Sequence, residues 1–535
     1  MKPLLTSDLK IQFLGITPLL KDRGGILNPQ QIVSLAGLLT FRGKSIKNIL
    51  DKIREKGENL DEKTKSILLH SSLRGHASIA TTPSFCLAYE GSKFLDSALT
   101  GIIFSSSIMA SGRRTQSSKM DIVYPTKIFG NKKAREIYNN TSEKIIKTYE
   151  NFLSQGIQKD EASKILQYGI YGTGIIQLSI ESIVLLKREY ETEKEWVPEE
   201  IGFLVKEIEK NLKRMGIDLI YATREVAPRN IYPYPNIFKN PKKSNLVREL
   251  FKKEKLVDES KLTSIEVSIP KELRKRLENL SKKRKEIFSS IKKTKKEWLN
   301  ILSQQQEIFR DYNLALKFRV LSSVPWRVWG EKKRHRTCPQ IVESIYYCIE
   351  RASKVFFKFK TKIKKRELNQ NIVKEIEKVF SIPPSIKNNP EFLSEYLSIA
   401  LQAFESYQKL IKLEIRPRDS IFLIPRATKI DILQEYDLFN LLTGYYPLRL
   451  CSTCEEEMRR NTQREVAQIK EALTKKGYSW LNELIVPKCQ ILGFCPEEKS
   501  CSIIKELIKN YSDKFHREIR KDLENKFEEK LKNLG

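Results

Sequence analysis

The sequence has no long apolar run, few histidines and few cysteines for its length. No stretch approaches the roughly eighteen apolar residues that a membrane-spanning helix needs, which predicts no membrane span. The N-terminal stretch has no continuous apolar core and no small-residue cleavage site, so we expect no signal peptide. Eight cysteines in a lysine-rich chain of 535 residues do not indicate a disulfide framework. These absences favour a soluble, cytoplasmic protein.

Acidic residues are also scarce relative to basic ones. The 97 lysines and arginines outnumber the 66 aspartates and glutamates and give a formal net charge of +31. Such an excess suits phosphate-bearing ligands, nucleic acid or an anionic surface. Because lysines and glutamates are mixed along helical stretches, we expect much of this charge on solvated helix faces. A nucleic-acid-binding protein is therefore a minority interpretation, based on charge and one basic segment.

The chain is too long for one ordinary hydrophobic core, so two or more domains are expected. Composition predicts a folded unit at 1–233, a charged helical arm or linker at 234–313, a second unit at 314–502 and a C-terminal amphipathic helix at 503–535. Both helical segments carry a single apolar stripe, which predicts one long helix in the arm. The stripe of the arm consists of Leu273, Leu277, Leu280, Ile287, Ile291 and Trp298. The stripe of the C-terminal helix consists of Leu507, Tyr511, Phe515, Ile519, Leu523, Phe527 and Leu531.

The second unit is similar in sequence to the first. TYENFLSQGIQKDEA (148–162) and SYQKLIKLEIRPRDS (406–420) align without a gap. Ser117 and Ser344 each lie eight residues after a three-residue segment that we consider a candidate site. We interpret these similarities as a diverged internal duplication.

The three-residue segment of the second unit is Arg334-His335-Arg336. Pro339 disfavours helix through the residue before it, so the triplet is expected where a helix ends. Two guanidiniums supply forked donors for a phosphate or for the carbonyl oxygens of a heteroaromatic ring. With the imidazole and the Ser344 hydroxyl, they would form a polar cradle for a nucleotide or flavin. Chemistry alone favours the alternative, a solvated basic helix end.

The pattern Arg-His-Arg, seven residues, then Ser resembles the signature of the flavin-dependent thymidylate synthases. PWRVWGEKKRHR (325–336) resembles the family's helix leading into that signature. LRLCSTCEEEMRR (448–460) resembles the family's second arginine-bearing segment, with Arg449 at the position of its substrate-activating arginine. In the first half, RGHASIATTPSFCLAYEG (74–91) resembles the family segment whose histidine contacts the flavin, here His76.

The resemblance implies an α+β fold. Its parts would be two tandem flavin-dependent-thymidylate-synthase-like units, each a mixed sheet with flanking helices, plus a long basic helical arm and a C-terminal helix. The implied reaction methylates dUMP to dTMP with methylenetetrahydrofolate as carbon donor and NADPH as the reductant of FAD. Because the family's enzymes are tetramers whose sites take residues from several subunits, the resemblance also implies composite sites in a homodimer that imitates the tetramer.

The resemblance assigns three overlapping sets of site residues. The catalytic candidates are Arg449, Ser344 and Arg336. The cofactor-binding candidates are His76, Arg334, His335 and Arg336. The substrate-binding candidates are Ser344, Arg449, Ser117 and Lys119. An arginine fork against the uracil carbonyl would stabilise the ionised ring, while the flavin carries the hydride chemistry.

Both halves depart from the family pattern. In the first half, Ser107-Ile108-Met109 occupies the place of the triplet. Its positions expected to carry arginine or asparagine hold Ser163, Ser179, Glu181, Leu185 and Tyr190. In the second half, Tyr346 and Ile421 replace arginines, and Arg418 and Arg426 are candidate substitutes for the second of these. An inactive paralogue with a structural or a nucleotide- or flavin-binding role is therefore the alternative to an enzyme.

Five cysteines cluster in the C-terminal part of the sequence. They are Cys451, Cys454, Cys489, Cys495 and Cys501. Four thiolates around a zinc ion would tie the segment of Arg449 to the segment that follows it, with one cysteine in surplus. The alternative is a group of reduced, partly buried thiols.

Overall fold

The computed structural model describes residues 3–23, 25–111, 115–227, 232–254, 256, 259–288, 291–507 and 511–534. These residues form both helices and strands, so the α+β prediction is confirmed. Within the described ranges, no helix is long and apolar enough to cross a membrane. The strands are β1 Leu4–Leu5, β2 Lys10–Thr17, β3 Leu20–Asp22, β4 Gly25–Leu27, β5 Ser84–Ser92, β6 Ser105–Met109, β7 Val123–Tyr124, β8 Tyr171–Ser179, β9 Ser260–Val267, β10 Leu316–Pro325, β11 Gln340–Val342 and β12 Lys429–Asp437.

Helices follow and separate the strands along the described sequence. The helices of the first half are α1 Pro29–Arg42, α2 Ile46–Glu55, α3 Leu60–Leu73, α4 Ser78–Thr81, α5 Lys93–Leu99, α6 Thr126–Gly130, α7 Lys132–Ser154, α8 Lys159–Ala162, α9 Ile180–Thr192, α10 Glu199–Arg214, α11 Asp218–Val226 and α12 Leu246–Lys253. Those that follow are α13 Lys271–Phe288, α14 Ile291–Tyr312, α15 Trp326–Lys332, α16 Ile345–Lys358, α17 Lys360–Lys364, α18 Gln370–Glu377, α19 Pro384–Lys387, α20 Pro390–Lys412, α21 Pro417–Ser420, α22 Tyr446–Arg449, α23 Glu456–Lys475, α24 Lys488–Leu492, α25 Ser502–Leu507 and α26 Asp513–Lys532.

The chain forms two compact units whose segments alternate along the sequence. The first unit contains Met1–Ser244, Pro325–Arg334 and Val342–Ile430. The second unit contains Asn245–Val324, His335–Ile341 and Asp431–Gly535. Residues distant in the sequence therefore share a core, which composition along the chain cannot reveal.

The first unit contains a four-stranded sheet in the order β2-β5-β8-β6. All of its pairings are antiparallel, so the mixed sheet predicted for this unit is wrong. Strand β5 alternates between faces, with Phe85, Leu87 and Tyr89 directed into the core. The alternation predicts a strand, but strand direction depends on long connections that the local pattern does not encode.

The second four-stranded sheet has the order β11-β12-β10-β9. Its edge strand β9 lies inside the segment predicted to be a helical arm and pairs antiparallel with β10. The single long helix predicted there is also wrong, because α13 and α14 are separate helices that pack against each other. Leu273, Leu277 and Leu280 are buried as the stripe predicted, and the side chains of Ile291 and Trp298 lie outside the described residues.

The predicted C-terminal helix is present as α26, but only its first part packs. Tyr511, Phe515 and Ile519 are buried in a core that they share with Cys489 and Cys495. Further along the same stripe, Phe527 and Leu531 are 66% and 68% exposed. The side chain of Leu507 lies outside the described residues.

Several elements of the first unit recur at a constant spacing of 258 residues. Helices α7 and α20 each have 23 residues and begin at Lys132 and Pro390, which are 258 positions apart. Their N-caps are both asparagines, whose side chains accept hydrogen bonds from the first turn. The two helices pack against each other, and the hydroxyls of Thr141 and Ser406 lie 2.8 Å apart between them.

Main-chain hydrogen bonds repeat with the same spacing. Tyr168 N–H donates to Ile424 O at 3.2 Å, and Arg426 N–H donates to Leu166 O at 3.0 Å. The second bond follows from the first when 258 is added to the number of the donor residue and subtracted from the number of the acceptor residue. Reciprocal contacts of this kind are typical of two segments related by a two-fold axis.

Candidate functional site

A basic pocket lies in the first unit beside α5, α15 and the residues that directly follow these two helices. Its volume is about 100 Å³. It is lined by Lys93, Asp96, Ser97, Thr100, Ala110, Ser111, Tyr168, Arg327, Gly330, Glu331, Lys333, Arg334 and Arg426. Five of these residues are cationic and two are acidic, so the pocket favours anions.

The two helices α5 and α15, which carry six of these thirteen residues, are held at their first turns. The Ser92 hydroxyl accepts a hydrogen bond from Phe94 N–H at 3.2 Å and thereby caps α5. The carboxylate of Glu200 accepts from Ser92 N–H at 2.7 Å, and burial raises the pKa of Glu200 to about 7. Helix α15 follows Pro325, and Trp326 N–H donates to Thr428 O at 2.8 Å. These bonds fix the backbone positions from which the side chains of Lys93 and Arg327 extend.

The two lysines of the pocket are already hydrogen-bonded. Lys93 Nζ donates to Asp96 Oδ2 at 3.1 Å and to Ala110 O at 2.8 Å. Lys333 Nζ donates to the main-chain oxygens of Asp96 and Ser97 and lies 4.3 Å from the centroid of a tryptophan ring. Burial lowers the pKa of both lysines. Their donors mainly satisfy carbonyl oxygens of the pocket wall.

Arg327 is likewise fixed by neighbouring groups. Its Nη1 donates to Asp160 O at 2.6 Å and to Ser163 Oγ at 2.7 Å. Its Nη2 pairs with the carboxylate of Asp160. Ser163 is one of the positions at which the family resemblance predicts arginine or asparagine, and here a guanidinium reaches it from another segment. The cation is thus supplied by a residue that sequence alignment could not identify.

Arg426 differs from the other cations of the pocket. It is 3% exposed, and its Nε and Nη2 have no hydrogen-bond partner among the described residues. Its guanidinium lies 5.7 Å from the centroid of the Tyr168 ring. Burial lowers the pKa of Arg426 to about 10, so the side chain stays protonated at neutral pH. Arg418, the other candidate substitute for an arginine at position 421, donates to Lys194 O at 2.6 Å instead.

Arg334 and Ser344 also belong to the first unit. Arg334 is exposed and lines the basic pocket, as expected for a residue at a helix end. Ser344 is fully buried at the N-cap position of α16, and its hydroxyl donates to Lys239 O at 2.6 Å. The Ser344 hydroxyl is therefore already hydrogen-bonded to the main chain of the protein.

The second unit brings His335 and Arg449 together. Arg449 Nε and Nη2 lie 3.0 and 2.8 Å from His335 Nε2. A guanidinium has no acceptor, so His335 Nε2 must accept and its ring proton belongs on Nδ1. The imidazole lies edge-on to Tyr445, with ring centroids 4.8 Å apart. Arg336, next in the chain, is exposed.

The candidates of the first half lie elsewhere in the first unit. His76 is exposed in the segment between α3 and α4. Ser117 is largely buried, and Lys119 forms an exposed ion pair with Glu143 at 3.5 Å. None of these three candidates lines the basic pocket.

The five C-terminal cysteines are free thiols in the second unit. Cys454, Cys489 and Cys495 are buried, whereas Cys451 and Cys501 are half-buried. In the described ranges, no three His, Cys, Asp or Glu side chains are placed to hold a metal ion. Burial and the neighbouring Cys495, Cys451 and Cys501 raise the pKa of Cys489 to about 12. The residues as placed do not show the predicted zinc site.

Comparison with known proteins identifies the family of one segment. Residues 313–473 match the model of the thymidylate synthase complementing protein family. A flavin-dependent thymidylate synthase of Thermococcus onnurineus is 26% identical over 125 residues, which are 23% of this chain and 50% of that protein. One from Pyrococcus horikoshii is 31% identical over 128 residues, covering 23% and 51%. The segment 313–473 therefore belongs to the flavin-dependent thymidylate synthase family.

The match extends over only part of each protein. The chain spans about half the length of the relatives that it matches. Among solved structures, a UMP/dUMP methylase PolB from Streptomyces cacaoi aligns over 42% of this chain and 100% of its own, with 13% identity and a TM-score of 0.33. Both the Arg-His-Arg triplet and Arg449 fall within the matched segment.

Proposed function

We propose that the protein is a FAD-dependent thymidylate synthase-like enzyme. In this proposal it methylates dUMP to dTMP, with methylenetetrahydrofolate as carbon donor and NADPH as reductant. One observation carries the proposal: two motifs of the family segment, 114 residues apart in the sequence, meet in the hydrogen bond between His335 and Arg449. A family signature kept only by chance would not require its two parts to be in contact.

The donors of this part of the second unit fit a flavin. Arg336 and Arg449 offer planar, charged N–H groups, which suit carbonyl oxygens and phosphates. The ring of His335 has a fixed tautomer because Arg449 occupies its Nε2. We assign flavin binding to Arg334, His335, Arg336 and His76. Bound flavin would supply the hydride chemistry, and the protein would position donor and acceptor.

We assign the uracil of dUMP to Arg449 and further substrate contacts to Ser344, Ser117 and Lys119. A guanidinium against the ring carbonyl would stabilise negative charge as the ring is attacked. Arg449 would have to exchange its bond with His335 for the bond with the substrate, so its geometry would change on binding. Catalytic roles in this scheme belong to Arg449, Ser344 and Arg336.

We also propose that the chain arose by tandem duplication and acts as a homodimer equivalent to the family's tetramer. The constant spacing of 258 residues between α7 and α20 supports duplication, as do the reciprocal main-chain bonds around Tyr168 and Arg426. The order of strands in the two four-stranded sheets supports duplication further. Read from one edge, each sheet contains its first, second, fourth and third strand in chain order, so each strand of one sheet has a counterpart in the other. Light scattering would test the assembly, and a monomer would contradict it.

The experiment that tests the enzymatic proposal uses the purified full chain. We expect a flavin absorption spectrum and NADPH oxidation that depends on dUMP. Arg449→Ala should abolish the dUMP-dependent rate, whereas Arg464→Ala should preserve it, because Arg464 pairs with Glu259 on the surface of the same unit. Arg334→Ala and His76→Ala should each weaken flavin retention. Loss with Arg334→Ala alone would assign a scaffolding role to the first half.

An inactive, nucleotide- or flavin-binding paralogue is the second candidate. The hydroxyl of Ser344 and the fork of Arg449 are both engaged by protein groups, which favours this alternative. Flavin binding without any dUMP-dependent oxidation would support it. Nucleic acid is not expected as a partner, and salt-dependent binding of DNA that survives substitution of Arg334 and Arg336 would contradict that expectation.

A further inference from the structure

Asn440 is a fully buried residue of the second unit whose amide bonds to two separate segments. Its Nδ2 donates to Asp437 Oδ1 at 2.7 Å and to Thr337 O at 3.2 Å. Its Oδ1 accepts hydrogen bonds from Thr337 Oγ1 at 3.0 Å and from Cys338 Sγ at 3.2 Å. A side-chain amide has two N–H donors and two acceptor sites, so all four are used here.

The neighbours of this amide determine its orientation. A carboxylate only accepts hydrogen bonds, so the side of the amide that faces Asp437 is the nitrogen. Asp437 is itself held in place, because its Oδ1 accepts from Asn440 N–H at 2.9 Å and its Oδ2 accepts from Asn313 Nδ2 at 2.8 Å. The amide oxygen of Asn440 therefore points towards Thr337 and Cys338.

Thr337 and Cys338 lie directly after the Arg-His-Arg triplet. Cys338 N–H donates to His335 O at 3.1 Å, so the three residues His335, Thr337 and Cys338 belong to one turn. The Asn440 side chain binds this turn from a segment about a hundred positions further along the sequence, at separations of 103 and 102 residues. The backbone position of His335 thus depends on Asn440.

The main chain of Asn440 leads to Arg449. Asn440 begins the π-helical segment Asn440–Gly444, and its carbonyl oxygen accepts from Tyr445 N–H at 3.1 Å. Tyr445 O accepts from Arg449 N–H at 3.2 Å, and the Tyr445 ring lies edge-on to His335. Single π-helical turns are rare and are found frequently at functional sites. One buried residue therefore connects the turn of His335 to the helix that carries Arg449.

We propose that Asn440 is a positioning residue that keeps His335 and Arg449 in contact and thereby fixes the Nδ1–H tautomer of His335. Because Asn440 is fully buried and its amide is engaged by the protein, it acts through these two residues and not by contact with a ligand. The effect on catalysis rests on the proposed function, whereas the positioning rests on the hydrogen bonds alone.

Nuclear magnetic resonance of the full chain with isotope-labelled histidine tests the positioning without flavin or substrate. The chain has four histidines, and His335→Gln identifies the signal of His335. In the wild type, His335 should show the Nδ1–H tautomer alone, because Arg449 donates to its Nε2. Asn440→Ser and Asn440→Leu should populate both tautomers, since the two motifs are then no longer held together.

Two further variants serve as comparisons. The control Asn482→Leu removes amide hydrogen bonds to Lys470 O and Thr474 Oγ1 in the same unit and should leave the His335 signal unchanged. Thr337→Val removes one of the four bonds of the Asn440 amide and should populate the second tautomer to a smaller extent. Because this variant loses a single hydroxyl, it tests the inference even if the Asn440 variants do not fold.

The dUMP-dependent oxidation of NADPH supplies the kinetic measurement. A misplacement of about 1 Å can lower a rate about hundredfold, so Asn440→Ser should reduce kcat about ten- to hundredfold with a smaller change in KM. Asn482→Leu should leave both constants unchanged. An equal fall of kcat in both variants, with the His335 tautomer unchanged, would assign Asn440 a role in stability alone and overturn the inference.

The tautomer measurement separates this inference from the proposed function. If Asn440→Ser and Asn440→Leu, shown to be folded by circular dichroism, keep the single tautomer, the inference is overturned while the enzymatic proposal stands. If neither folds, an unchanged signal in Thr337→Val overturns it. Both tautomers in the wild type would also overturn it, because His335 would then lack its bond with Arg449. If the tautomers respond as expected in a chain without dUMP-dependent oxidation, the positioning stands and the enzymatic proposal fails.

Discussion

Replacement of Arg426 by methionine should make the free protein more stable. Burial lowers the pKa of the Arg426 guanidinium to about 10, which corresponds to about 3 kcal/mol of disfavoured charge. Methionine is apolar, unbranched and fills irregular space, so it can occupy the same volume without a charge. Replacing a buried charge by a well-packed apolar side chain is commonly neutral or stabilising by about 1–4 kcal/mol. We expect a gain of about 1–3 kcal/mol for Arg426→Met.

Phosphate should make the wild type more stable than Arg426→Met and so reverse the order of their stabilities. A ligand that binds only the folded state at one hundred times its dissociation constant stabilises it by about 2.7 kcal/mol. Wild type should gain that amount from saturating inorganic phosphate, and Arg426→Met should gain little. The curves of stability against phosphate concentration should therefore cross.

Urea unfolding followed by circular dichroism measures both effects. The urea midpoint of the variant should exceed that of the wild type without phosphate and fall below it at saturating phosphate. Parallel curves, with the same phosphate response in both proteins, would refute the reasoning. A variant less stable than the wild type in the absence of any anion would show that Arg426 has an internal partner after all.

Three further changes test other parts of the structure. Because burial raises the pKa of Glu200 to about 7, its carboxyl stabilises the fold at low pH, and that contribution is lost as the pH rises through 7. Glu200→Gln should therefore make the urea midpoint less dependent on pH between pH 5 and about pH 8. Gly169→Ala should destabilise the fold by about 1–3 kcal/mol, because the added Cβ would lie 2.5 Å from a tyrosine oxygen and 2.6 Å from a main-chain oxygen. In the control Gly130→Ala the added Cβ meets no atom within 4 Å, so the same unfolding measurement should show no change in stability. Burial acts to raise the pKa of Cys501, but hydrogen bonds from a serine and nearby backbone groups leave this pKa below its ordinary value. Mass spectrometry after brief alkylation at pH 7 should therefore find Cys501 modified before Cys489, and the reverse order would contradict the local geometry.

Local patterns in the sequence correctly predicted individual elements. The stripe at Leu273, Leu277 and Leu280 is buried, because apolar residues three and four apart share one helix face. The same stripe could not show that the arm is two helices, since the apolar spacing alone does not mark where one helix ends and the next begins. Nor could it show that β9 at Ser260–Val267 joins a sheet, because an edge strand is defined by its partner.

The candidate site was only partly accessible from the sequence. The triplet and Arg449 stood out because rare residues in a fixed spacing carry information, and two of those residues are in contact. Lys93 gave little signal beyond a basic residue before an apolar segment, and Lys333 is one of several basic residues in a row. Arg327 could not be found at all, because its role depends on reaching Asp160, 167 positions earlier in the chain.

By itself, the sequence determined the α+β class, the segment that belongs to the flavin-dependent thymidylate synthase family and the residues of its signature, because these depend on residue types at fixed local spacings. Only the tertiary structure distinguished the surroundings of Arg418 from those of Arg426. Both are arginines in the same short segment, and folding gave Arg418 a carbonyl partner while it left Arg426 buried beside an anion-sized cavity. Whether a charge is satisfied depends on atoms brought together from distant parts of the chain, and sequence spacing does not contain that information.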